Sequence, residues 1–154
     1  MAKLIKFCVV LCALFAVPVF LPAQTAAELE KILETPTVTC SQAARFVCAS
    51  SESQEASALN SGDAFAWAVE KGWLSKNASA DAPINLGGLS FLLMKAFDMK
   101  GGMMYMIMPG PRYAFRTMTA RSIIQSPADP DMNVSGERFL LILGNVLSAK
   151  GGEL

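Results

Sequence analysis

Histidine is absent from the 154-residue chain. Its absence excludes Ser-His-Asp and Cys-His catalysis and any zinc site built on imidazole. Charge is scarce as well, at 17% of residues, and is balanced at 13 basic against 13 acidic side chains. A nucleic-acid binder relying on excess positive charge is therefore excluded, and 53% hydrophobic content excludes a disordered tail. The opening apolar run, Phe7 to Leu21, has fifteen residues without a charge, short of the ~20 that a membrane-spanning helix needs. No nucleophile has a base partner and no glycine-rich loop follows a strand, so the chain reads as a non-enzyme without a small-molecule cofactor.

What is present begins with that run. Lys3 and Lys6 precede it, Pro18 interrupts it, and Pro22-Ala23 offers a small-residue cleavage site before Gln24. Residues 1–23 read as a secretory signal peptide, which places the protein in the periplasm or cell envelope. The alternatives are a retained N-terminal anchor and a lipoprotein acylated at Cys12, where Leu11 is bulkier than such a site expects. Residues 24–154 then form one domain of 131 residues with 11 basic and 13 acidic groups. That overall balance gives no steering toward DNA, RNA or an anionic lipid surface. Cys40 and Cys48, on an expected helix over Ser41–Ala49, lie about 12 Å apart along its axis, too far for a disulfide, and read as buried thiols.

Apolar spacing predicts helices over Thr25–Leu33 and Ser41–Ala49, then a loop from Ser50 to Gly62. Further helices are predicted from Asp63 as cap to Leu74, over Leu86–Met99, from Pro111 to about Gln125, and from Ser135 as cap to about Leu147. Leu86–Met99 is apolar all round, which marks a central helix. Ala64–Phe97 slides onto Ala114–Leu147 at a constant shift of 50 residues, so that Leu74 meets Ile124, Ile84 meets Val134 and Leu93 meets Leu143. A shorter copy begins at Val38-Thr39. The expected architecture is all-α, three tandem helix-loop-helix units (approximately 25–50, 63–100 and 111–148) packed on one another because none buries its apolar face alone.

The run Trp67-Ala68-Val69-Glu70-Lys71-Gly72-Trp73-Leu74, a loop, then Ile84 and an apolar helix resembles the S-layer homology (SLH) domain family. The resemblance implies three tandem helical units in one pseudo-symmetric exported module. In that family a Thr-Arg-Ala-Glu type motif at the start of the second helix binds cell-wall polysaccharide. The matching positions here read Thr39-Cys40-Ser41-Gln42, Asn85-Leu86-Gly87-Gly88 and Ser135-Gly136-Glu137-Arg138, without the motif arginine. The methionine content and the Gly-Gly-Met-Met-Tyr stretch are also similar to small exported proteins of spirochaetes.

Three constellations stand out. Asp129, Asp131 and Asn133 alternate oxygen side chains as a calcium loop does. An EF-hand loop starting at Asp129 would need Gly and Glu where Val134 and Leu140 stand, and a helix-capping connector explains the same residues. Met103, Met104, Met106 and Met108 surround Tyr105 and Ile107; they suit a core gap or, alternatively, the floor of a groove for an apolar partner. Arg112, Tyr113 and Arg116 place guanidinium groups beside an aromatic ring at a helix start. Trp67 falls at the edge of its helix's buried stripe and Trp73 within it. Trp67, Arg112, Tyr113, Arg116, Met104 and Met106 are the candidate partner-binding residues. The expected function is a non-catalytic envelope module that binds a cell-wall polymer or an envelope protein, touching a membrane only through its signal peptide. The competing expectation is an assembly subunit that buries its Met-rich segment against a partner chain.

Overall fold

The computed structural model describes residues 21–51 and 53–151. Residues 1–20 of the predicted signal peptide lie outside them. Contacts divide the chain into two compact units, Met1–Lys31 and Ile32–Leu154. In the first, the described residues belong to helix α1 (Leu21–Leu33), which starts ahead of the predicted Thr25 and so contains the predicted cleavage site. The second unit carries the remaining helices, and the described residues contain eight helices and no strand.

Helix α2 (Cys40–Ser50) starts where a capping box dictates. Thr39 Oγ1 accepts the Gln42 N–H at 3.3 Å while Gln42 Oε1 accepts the Thr39 N–H at 3.0 Å. The expected loop after it holds a single turn, α3 (Gln54–Ser57), whose Ala56 N–H is taken by Ser53 Oγ. Helix α4 (Ser61–Glu70) begins earlier than predicted because Asn60, not Asp63, is its cap; Asn60 Oδ1 accepts the Asp63 N–H at 3.0 Å. It also ends four residues before the predicted Leu74. Gly72 at φ +69° reverses the chain, and the Trp73 and Leu74 amides both return to the Ala68 carbonyl.

Helix α5 (Leu86–Ala96), capped by Asn85, has buried residues on most of its circumference and packs on both α2 and α7, as expected of a central helix. A short helix, α6 (Met103–Ile107), follows. Helix α7 (Pro111–Ala120) opens on proline at its first position and stops short of the predicted Gln125. Ser122 at φ 58° repeats the turn seen at Gly72, with Ile123 and Ile124 both bonded to Met118. Helix α8 (Gly136–Gly151) follows Ser135, whose Oγ accepts the Arg138 N–H at 3.4 Å. Helices α2 and α4 pack as one pair and α5 and α7 as another.

The three β-branched residues aligned in sequence meet at the centre of the second unit. Val38 N–H donates to the Val134 carbonyl at 2.8 Å, Val134 N–H to Ile84 at 3.2 Å, and Ile84 N–H back to Val38 at 2.9 Å. The result is a closed ring of backbone bonds among three buried side chains. Neighbouring connectors satisfy the first amides of the helices, since Cys40 donates to Ala82, Leu86 to Met132 and Gly136 to Thr35. A Cβ at Gly136 would overlap the Ile32 carbonyl, so only glycine fits there. Cys40 and Cys48 are buried free thiols, as the spacing predicted.

Candidate functional site

Gly101-Gly102 on one side and Pro109-Gly110-Pro111 on the other bracket α6, a helix of little more than one turn. So short a helix buries one side chain, and Tyr105 is that residue: its ring meets Phe91 edge-on, with centroids 6.4 Å apart. A side chain at Gly101 would collide with the Tyr105 ring, so the glycine permits the close approach. Burial, and next the Asp98 charge, push the Tyr105 hydroxyl above its ordinary pKa. The Gly102 N–H reaches Thr117 Oγ1 at 3.4 Å, and Arg121 Nη2 donates to the Lys100 carbonyl at 2.7 Å, tying both sides of the approach to α7.

The remaining side chains of the segment face outward. Met103 is 76% exposed, Met106 75% and Ile107 71%, with Met104 and Met108 also exposed. The core reading of these methionines is therefore corrected: Tyr105 occupies the one inward direction that α6 offers. Between α6 and α7 lies a cleft of about 490 Å³, lined among others by Met103, Met104, Tyr113, Arg116 and Arg121, with no carboxylate in its lining. A second hollow, of about 360 Å³, holds Met106 with Lys95, Asp98 and Lys100. A third is shared by Phe97, Lys100, Arg121 and Lys150. Segment 95–121 carries five basic residues against Asp98 alone, whereas segment 34–81 carries three basic against six acidic residues.

Of the six candidate residues, Met104, Tyr113 and Arg116 share the first cleft and Met106 lines its neighbour. Arg112 is placed elsewhere, in a hollow with Asn85, Asp129 and Asp131. Trp67 lines none of these hollows. It is half-buried against the core, its ring covered by Lys71 Nζ 4.5 Å from the centroid, and its indole N–H is buried without a partner. Half-burial agrees with the place at the edge of the buried stripe that the sequence gives Trp67. Sequence reasoning missed Lys95, Lys100 and Arg121. The available signal was the one-sided charge of segment 95–121, hidden by the balanced total.

In the calcium candidate, Asp129 Oδ1 accepts the Asp131 N–H at 2.8 Å, an Asx turn, while Asn133 pairs through its backbone with Asn85. Among the described residues no group of three or more His, Cys, Asp or Glu is placed to hold a metal. Burial raises both thiols, opposed at Cys48 by Arg45, which is the reverse of nucleophile activation. The three positions that match the motif arginine, Cys40, Leu86 and Gly136, are buried. Among the described residues no helix is long and apolar enough to cross a membrane. No known protein family, curated protein or solved structure matches the chain.

Proposed function

We propose that the protein is an exported, non-catalytic module of the cell envelope, built from three SLH-like helix-pair units, that works by binding through α6 and the cleft beside it. The unit reading draws support from the ring of Val38, Ile84 and Val134, and from the matched turns at Gly72 and Ser122, fifty residues apart. The observation that carries the binding reading is the row of exposed apolar side chains from Met103 to Met108, beside a cleft with Arg116 and Arg121 and no carboxylate. Exposed apolar area concentrated in one place is the mark of a contact surface, and methionine adapts to irregular partners.

The envelope component that covers α6 has to supply apolar area together with negative charge. A cell-wall polymer held by the family's motif is the weaker form of the proposal, because buried Cys40, Leu86 and Gly136 replace the arginine. The assembly-subunit form uses the same α6 surface against a second chain.

Oxidative footprinting tests the reading without knowledge of the partner. Met103 and Met106 are expected to oxidise several-fold more slowly in isolated envelopes than in the purified protein, while Met132, which is exposed outside the surface, oxidises equally in both. Equal rates at Met103 and Met106 would overturn it. Light scattering separates the assembly form, which requires the purified chain to self-associate or to copurify at fixed stoichiometry.

A further inference from the structure

We infer that the α6 ridge seats on an anionic lipid surface, its methionines entering the boundary between headgroups and acyl chains while the surrounding lysines and arginines meet the headgroup charges. This rests on the reading of α6 as the contact surface and names what lies against it. Two independent features of the same place point there.

The first is exposure on more than one side of a short helix. Met103, Met104, Met106, Ile107 and Met108 are all exposed, and the ground on both flanks is hollow, with one cleft toward α7 and another toward Lys95 and Lys100. Such a ridge is convex. A fluid apolar phase accepts a convex apolar ridge directly, and the 5–10 Å depth reached by interfacial helices is about the height of one helix. A polysaccharide offers charge and hydroxyl groups but no apolar phase for five such side chains. A protein partner would need a groove shaped to the ridge and acidic groups set to match.

The second feature is charge. Lys95, Lys100, Arg116 and Arg121 line the two hollows that border α6, with Asp98 the one carboxylate among those linings, and Lys150 shares the next hollow with Lys100 and Arg121. Long Lys and Arg stems can lie along apolar surface while their heads stay at headgroup level. The chain total, 13 basic against 13 acidic, conceals this patch, and the expectation that charge gives no steering toward anionic lipid fails to register it.

The exported chain, residues 24–154, would be sedimented with vesicles of phosphatidylcholine alone and of phosphatidylcholine with one quarter phosphatidylglycerol. Binding is expected to the anionic vesicles only and to weaken several-fold as salt rises from about 0.05 to 0.3 M. Met106→Ser with Ile107→Ser, and separately Lys100→Glu with Arg116→Glu, are each expected to reduce it by about tenfold or more. Lys76→Glu, outside the patch, is expected to change binding by less than twofold, and circular dichroism checks that each variant is folded. Absence of binding to anionic vesicles overturns the inference. So does loss of binding in the charge variant alone, which would mark simple attraction to a polyanion. If vesicle binding is absent while Met103 and Met106 remain protected in envelopes, a protein covers α6 and the contact-surface reading stands; if both fail, that reading goes too.

Discussion

Gly136 and Gly144 lie on the same helix, eight residues apart, and substitution to alanine should move stability in opposite directions. At Gly136 the new Cβ would meet the Ile32 carbonyl, rigid backbone that has to shift. Gly136→Ala is expected to cost about 2–3 kcal/mol in urea denaturation. Gly144 has open space around it, so Gly144→Ala is expected to add about 0.5–1 kcal/mol through helix propensity alone. The matched left-handed turns at Gly72 and Ser122 make a second pair. Ser122 holds φ 58° with a side chain, whereas Gly72 holds φ 69° without one. Ser122→Gly is expected to raise stability by up to about 1 kcal/mol, and Gly72→Ala to lower it by about 1 kcal/mol, both read by thermal melts. Neither turn stands out in the sequence, because the apolar spacing continues through Trp73-Leu74 and Ile123-Ile124 after the helix has ended.

Helix starts were more readable than helix ends. Thr39, Asn85 and Ser135 each precede an apolar run and each accepts an amide from three residues on. Thr39→Ala removes half of the reciprocal cap of α2 and is expected to cost about 1 kcal/mol, measured as a shift in the urea midpoint with an unchanged slope. The cap of α4 was missed because Asn60 and Asp63 are both good cap residues, and only geometry shows that the Asp63 amide bonds to Asn60. At the candidate site, Met104, Tyr113 and Arg116 stood out as candidates by their types, but their shared cleft was not readable, since it depends on the Gly101–Tyr105 approach that folds α6 toward α7. That all four methionines of the segment face outward was not readable, because composition alone does not show that a helix this short has one inward direction and that Tyr105 takes it.

Across the second unit, the buried thiols set an alkaline limit on stability. Desolvation raises Cys40 and Cys48 above the ordinary value of 9.0, so the folded state keeps protons that the unfolded chain releases. The stabilisation is fully present below pH 9 and is lost as pH climbs through the raised values. Urea midpoints are expected to hold steady to about pH 8.5 and then fall. Cys40→Ala with Cys48→Ala is expected to start from a lower midpoint, because buried volume is removed, and to fall less steeply with pH. The 50-residue shift, visible in sequence from Leu74/Ile124 to Phe97/Leu147, anticipated the alignment of Ile84 with Val134, but the bonds joining them to Val38 required the folded backbone.

On the three-unit reading proposed above, that circuit of three amides and three carbonyls also fixes the copy number. A stack of repeats with free ends can lengthen by duplication, each new member docking on the last. Here the final donor already returns to the first acceptor, so a fourth member would have to break an existing link before it could join, and a missing member would strand one amide and one carbonyl in apolar surroundings. On that reading the sides of the assembly can change far more readily than its count.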